Sequence, residues 1–151
     1  MSEFSCLLGE PALSDFRKRK LARRIAEAAG AEPEIDARFI YLIESESDLD
    51  AAEVSALQDL LNATQVADLE AGSLLLVVPR LGTQSPWSSK ATDIARRCGL
   101  GTVARVERGV ACRLRGLPEN RLQEAAALLH DRMTQSVLRG LREARALFEH
   151  N

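Results

Sequence analysis

The stretch from Leu74 to Gly99 constrains the fold of this chain most. Leu74-Leu75-Leu76-Val77-Val78 is a run of aliphatic side chains bounded by Gly72 and Pro79. With no polar side chain to turn toward water, it predicts a strand buried on both faces, and therefore a sheet covered on both sides. A loop follows, and then a helix with a well-marked start. Ser85 is placed to accept from a free backbone N–H, and Pro86 suits the first helical position, where its missing N–H costs nothing. Trp87, Ala91, Ile94, Ala95 and Cys98 fall at helical spacing and predict an apolar stripe, with Lys90, Asp93, Arg96 and Arg97 opposite. Gly99 is the expected stop.

Similar units recur along the chain. Phe4 to Leu8 is a strand candidate ended by Gly9-Glu10-Pro11, and Ser14 caps a helix expected to run to Ala29, with Leu21, Ile25, Ala28 and Ala29 inward and Gly30 as its stop. Ile35 to Glu44 alternates as a strand, with Ala37, Phe39, Tyr41 and Ile43 on one face and Asp36, Arg38, Ile40 and Leu42 on the other. Asp50 and Glu53 form a capping-box pattern with Leu49 set against Val54, and Val54, Leu57 and Leu61 continue the inward side to Asn62. Gln65 to Leu69 is a weak strand candidate. Beyond Gly99, Thr102 to Arg115 reads as a long strand bent or bulged at Gly109, with Val110, Cys112 and Leu114 sharing a face. Gly116-Leu117-Pro118 opens a helix to about Asp131 with Leu122, Ala125, Ala126 and Leu129 inward, and Met133 to Leu138 is a closing strand. Leu141, Ala144, Leu147 and Phe148 give the tail a helical spacing without a stop signal.

Strand, helix, strand, helix, short strand thus occurs twice, at an offset of about 70 residues. Ser14 and Ser85 stand at matching points. Three strands and two helices cannot bury a sheet face well, so the halves are expected to pack together. The predicted fold is α+β, two ferredoxin-like β-α-β-α-β half-domains joined as an internal pseudo-dimer. Residues 1–140 form the domain, with half-repeats over about 4–70 and 73–138, and 141–151 begin a linker. A formal net charge of −2 argues against nucleic acid as a partner. No apolar run is long enough for a membrane span, and Met1-Ser2-Glu3-Phe4 lacks the pattern of a signal peptide, so the chain is expected to be cytoplasmic.

Residues that could carry chemistry are sparse. The central loop has the outline of a phosphate-binding loop but fails in detail: Ser89 replaces the second glycine before Lys90, and Ala91 stands where a hydroxyl would hold magnesium. His130 and His150 are far from any nucleophile arrangement. Glu44, Glu46, Asp48 and Asp50 lack the glycine of a calcium loop and read as a solvated turn. Cys6, Cys98 and Cys112 show no metal or disulfide spacing and read as small buried hydrophobes. The basic run Arg17-Lys18-Arg19-Lys20 with Arg23-Arg24 has no aromatic platform beside it and reads as a solvated helix face, or one facing an acidic partner.

The stretch Pro79-Arg80-Leu81-Gly82-Thr83-Gln84-Ser85-Pro86-Trp87-Ser88-Ser89-Lys90-Ala91-Thr92-Asp93-Ile94-Ala95, continuing through Cys98-Gly99-Leu100 to Val106-Glu107-Arg108-Gly109, resembles the N-terminal region of the large, single-chain phosphoribosylformylglycinamidine synthase family. Leu129 to Thr134 and Gly9 to Ser14 with Phe16 resemble further segments of it. The likeness covers essentially the whole chain, departing at the turn around Gly101 and in the strongly basic first helix. It implies membership in an ATP- and glutamine-dependent purine-pathway ligase that converts formylglycinamide ribonucleotide to formylglycinamidine ribonucleotide. In that family ATP and magnesium act in a synthetase domain and ammonia comes from a glutaminase domain. The N-terminal domain is similar to a dimer of the small subunit of the multi-component enzyme, packs against both other domains, and helps form the ammonia path.

On this resemblance the chain is a scaffold and coupler with no catalytic residue, no metal and no cofactor of its own, inactive alone. Arg80, Gly82, Thr83, Ser85, Trp87, Ser88, Ser89 and Lys90 are expected to face the synthetase active site, with Asp131 and Arg132 nearby. Self-association of the isolated domain through an exposed sheet face is left open. The alternative from another class is a stand-alone regulatory module binding a small molecule between its halves. Independent ATP hydrolysis is a third.

Overall fold

The computed structural model describes residues 3–65, 73–81, 83–139, 143 and 148. The first half supplies β1 (Glu3–Pro11), α1 (Asp15–Ala29), β2 (Glu34–Ser45), α2 (Ala51–Leu61) and β3 (Thr64–Gln65). The second supplies β4 (Ser73–Pro79), α3 (Pro86–Arg97), β5 (Val103–Arg115), α4 (Leu122–Leu129) and β6 (Gln135–Leu138), with a 3-10 turn over Glu119–Arg121 leading into α4. The fold is α+β, as the repeat predicts. Gly82, most of the 65–69 strand candidate and most of the helical-looking tail lie outside the described residues.

The strands form one antiparallel sheet in the order β3-β1-β2-β5-β4-β6. Read outward from the β2–β5 seam, each half has its second strand inside, its first strand next and its short strand at the edge. The two halves are thus related as the members of a pseudo-dimer. The seam is regular from Glu34↔Arg115 to Glu44↔Arg105, with an irregularity only where Ser45 meets Val103.

Gly109 lies within this regular ladder opposite Ile40, so the bulge expected there is absent. Close packing explains the glycine. A Cβ at Gly109 would stand 2.7 Å from the Val77 carbonyl oxygen and 3.0 Å from Val78 Cγ1, so β4 can cross this point only where a side chain is missing.

Alternation along the strands separates two faces. Ile35, Ala37, Tyr41 and Ile43 of β2 face the helices, in two buried clusters. One holds α1 and α4 through Ala22, Ile25, Ala29, Leu122 and Ala125; the other holds α2 and α3 through Leu57 and Ala95. Ile40 and Leu42 point to the opposite face, with Leu74, Leu76, Val78, Ala111, Leu138 and Phe148. The Leu74–Val78 strand contributes to both sides, with Leu75 and Val77 toward the helices, as its unbroken apolar run requires.

Helix caps follow the sequence closely. The Ser14 oxygen accepts from Arg17 N at 3.2 Å, and Gly30 closes α1 in the left-handed region at φ 78°. Asp50 and Glu53 form the reciprocal capping box at the start of α2, and Asn62 closes it with φ 52°. Ser85 caps α3 with Pro86 in its first turn, and Gly99 follows at φ 93°.

The inward faces differ from expectation in places. Ala28 is exposed, and Ala22 takes its place. In α3 the buried residues are Ser88, Thr92 and Ala95, while Trp87 and Ala91 are half-buried and Ile94 and Cys98 exposed. The last helix is shorter than expected and ends at Leu129. Cys112 alone of the three cysteines is buried, with Cys6 half-buried and Cys98 exposed. Burial, helped by the nearby Asp36 charge, pushes the Cys112 thiol up to about 12, so it stays protonated and behaves as a small core residue. Among the described residues no helix is long and apolar enough to cross a membrane.

Candidate functional site

The 80–90 turn is built where β4 and β5 part. Their ladder runs from Ser73↔Leu114 to Val77↔Val110, whereas β5 pairs with β2 as far as Val103. Among the described residues, β5 therefore has no strand partner on this side over 103–109, and its backbone groups need other partners. α3 supplies them. The Ser88 hydroxyl donates to the Val106 carbonyl at 2.6 Å, and Val106 N donates to the Thr92 hydroxyl at 3.0 Å. Thr92 in turn donates to the Ser88 carbonyl at 2.7 Å, and Arg96 Nε reaches the Val103 carbonyl at 3.0 Å. The buried stripe of α3 therefore combines Ser88 and Thr92, set against a strand edge, with Ala95, which joins the apolar cluster beside half-buried Trp87 and Ala91.

The turn before α3 is fixed by a buried ion pair. Glu107 is 0% exposed and Arg105 6%. Arg105 Nη2 lies 3.0 Å from Glu107 Oε2 and also donates to the Thr83 carbonyl at 2.8 Å. Glu107 Oε1 accepts the Ser85 hydroxyl at 2.6 Å and Arg108 N at 3.2 Å, while Ser85 N approaches Oε2 at 3.4 Å. Ser85 still accepts from Ser88 N at 3.0 Å, so one hydroxyl both caps the helix and ties it to the sheet. Both carboxylate oxygens of Glu107 and the Nη2 of Arg105 are engaged, and such pairing is what lets a buried charge pair be tolerated.

Above this base the turn is exposed. Arg80, Thr83, Ser89 and Lys90 are at the surface. The Thr83 hydroxyl donates to the Arg80 carbonyl at 2.6 Å, and Arg80 N donates to the Thr134 carbonyl at 3.0 Å. That second bond brings the 131–134 turn beside the 80–83 turn. Asp131 and Arg132 are exposed there, with Asp131 Oδ1 accepting Met133 N at 2.9 Å. The residues singled out from sequence are therefore close neighbours in part. Ser88 is the exception, fully buried and committed to Val106, and it belongs to the packing of α3. Gly82 lies outside the described residues.

Trp87 is half-buried, its ring 5.8 Å from that of Tyr41 and 4.9 Å from the Arg108 guanidinium, which also lies 4.8 Å from the Phe39 ring. Burial raises the Tyr41 phenol above its ordinary value, with Arg108 opposing the rise and Glu10 adding to it. Trp87 and Lys90 also line a groove of about 190 Å³ between α2 and α3, completed by Leu60, Leu61, Ala91 and Ile94. Leu60 and Ile94, each about 40% exposed, make this an apolar strip beside the Lys90 charge.

Arg105 and Glu107 were not singled out from sequence. A signal was available: both lie on the same alternation as Ala111, hence on the inward face of the strand opposite the helices. Charged residues at inward positions are expected to have partners. Among the described residues no group of three His, Cys, Asp or Glu side chains could hold a metal ion. His130 Nδ1 lies 2.6 Å from the Ala126 carbonyl, at the end of α4.

A doubled α+β unit with its two halves related as a pseudo-dimer, and with an exposed polar turn in the second half, defines the class of fold. The model of the family described as formylglycinamide ribonucleotide amidotransferase N-terminal matches residues 38–148, most of the chain. The chain belongs to that family, whose name ties it to an amidotransferase of purine biosynthesis.

Proposed function

We propose that this chain is the scaffold and coupling domain of a phosphoribosylformylglycinamidine synthase. In this reading it packs against the synthetase and glutaminase domains of a cytoplasmic parent enzyme and helps shape the path of ammonia between them. Residues 1–140 act as the domain, and 141–151 begin the linker while staying attached to the domain through buried Phe148. ATP and magnesium serve the parent's synthetase domain, and this part is inactive alone.

The single observation that carries the reading is the contrast at the 80–90 turn: the buried, hydrogen-bonded Arg105–Glu107 pair beneath exposed Thr83, Ser89 and Lys90. Holding a polar turn in one geometry costs conformational entropy, which a purely solvated loop has no reason to bear. Arg80, Ser89 and Lys90 supply donors toward the partner, the Thr83 hydroxyl, its own proton given to the Arg80 carbonyl, offers an acceptor, Asp131 and Arg132 flank them, and Trp87 with the α2–α3 groove accepts an apolar side chain. Ser85 and Ser88 act beneath this surface as its support.

The test is substitution of Ser89 and Lys90 by alanine in the full-length enzyme. The reading expects glutamine-dependent turnover to fall while ammonia-dependent turnover and thermal stability hold. Unchanged glutamine-dependent turnover at unchanged stability contradicts it.

A further inference from the structure

We propose that Arg105 and Glu107 are positioning residues that link the 83–88 turn to the covering, by Phe148, of the sheet face opposite α1 to α4. The inference stands on geometry alone, and only its functional meaning rests on the docking role proposed above. Phe148 is 6% exposed and packs in the cluster of Ile40, Leu42, Leu76 and Val78. Its ring lies 5.7 Å from that of Phe4 and 5.0 Å from the Arg105 guanidinium carbon. Arg105 therefore has Phe148 against its guanidinium and, through Nη2, both Glu107 and the Thr83 carbonyl. Glu107 passes the connection to the Ser85 hydroxyl, and Ser85 to Ser88 N at the first turn of α3.

A guanidinium in this position is restrained from two directions. Contact with the face of a ring limits how the guanidinium can move, and a planar fork then limits where its hydrogen bonds can point. Removing the ring admits water to one side of the ion pair, which weakens the attraction that a dry setting strengthens. The turn loses restraint as a result. The fold thus contains a contact by which displacement of Phe148 from the sheet loosens the exposed surface of the 80–90 turn.

The experiment uses this chain and needs no partner. Trp87 is its one tryptophan and lies at the start of α3, so its emission reports on the turn, and amide hydrogen exchange reports on Ser85 and Ser88. Phe148→Ala is expected to speed exchange at Ser85 and Ser88 by about tenfold or more and to shift Trp87 emission, with Ala22 and Ile25 of α1 unmoved. Phe148→Tyr, which keeps the ring, is expected to restore both signals. Arg105→Lys retains charge but not the planar fork, and adding Phe148→Ala to it is expected to have little further effect at Ser85. Unmoved Ser85 and Ser88, a rise equal to that in α1, or full additivity of the two substitutions overturns the link. The docking role fails separately, by unchanged glutamine-dependent turnover in the Ser89 and Lys90 variant.

Discussion

The two halves begin their first helices with the same device and use it differently. Ser14 and Ser85 each cap a helix that follows a strand, yet Ser14 is exposed and among the described residues bonds to its own helix, whereas the Ser85 hydroxyl is also held by buried Glu107. Counted from the caps, Ala22 and Ile25 of α1 are buried eight and eleven residues on, and Thr92 and Ala95 of α3 seven and ten. A shift of one residue is about 100° of rotation on a helix. α1 therefore turns an apolar stripe toward α4, and α3 turns hydroxyls toward the open edge of β5. In the first half the Ala37 carbonyl is satisfied by backbone, from Ala12 N at 2.9 Å. Duplication of a frame leaves one copy free to keep a simple core helix while the other fixes a surface.

The comparison breaks most visibly at Glu107. Glu107→Ala leaves Arg105 buried without its carboxylate and is expected to cost about 3–5 kcal/mol in chemical denaturation. A loss below about 1 kcal/mol would mean that the pair does not hold the turn. The caps should then separate. Ser85→Ala removes a cap and the shorter of the two hydrogen bonds to a buried carboxylate oxygen, about 2–3 kcal/mol together, against roughly 1 kcal/mol for Ser14→Ala, which removes a cap alone. Equal losses would erase the distinction between the halves.

Core features shared by both halves should respond without regard to the turn. The Cys112 thiol ordinarily titrates near 9 and is pushed up to about 12 in the fold. Between those values the unfolded chain has released a proton that the folded chain keeps. Stability is therefore undiminished below about pH 9 and falls as pH rises toward 12, at up to about 1.4 kcal/mol per pH unit. Cys112→Ala should flatten this limb of the pH–stability curve, whatever the state of the 80–90 turn. The smallest effect belongs to the surface pair Lys18–Asp15 at 3.3 Å: Lys18→Ala should change stability by less than about 1 kcal/mol.

What the sequence made legible was local. Caps, strand alternation and the repeat needed only neighbours in the chain to be read, so Ser14, Asp50, Ser85 and the two-sided Leu74–Val78 strand came out as expected. Three of the misreadings share a cause. The inward face of α3, the form of β5 at Gly109 and the support of the turn all depend on where β4 leaves β5. That divergence has no local signature. Apolar periodicity placed Trp87, Ala91 and Ala95 against the apolar cluster they do join, but it extended the stripe to exposed Ile94 and Cys98 and passed over Ser88 and Thr92, because it takes no account of a strand edge that selects hydroxyls. The same blindness hid Glu107 and drew Ser88 into the displayed set.

The docking account is tested most directly by titrating this chain against the polypeptide that carries the synthetase and glutaminase domains. Two variants give the comparison, Ser89→Ala/Lys90→Ala in the second half and Arg19→Ala/Lys20→Ala in the first. The account predicts at least a tenfold loss of affinity for the former and wild-type binding for the latter. Wild-type binding by the Ser89 and Lys90 variant, or an equal loss in both, would contradict it.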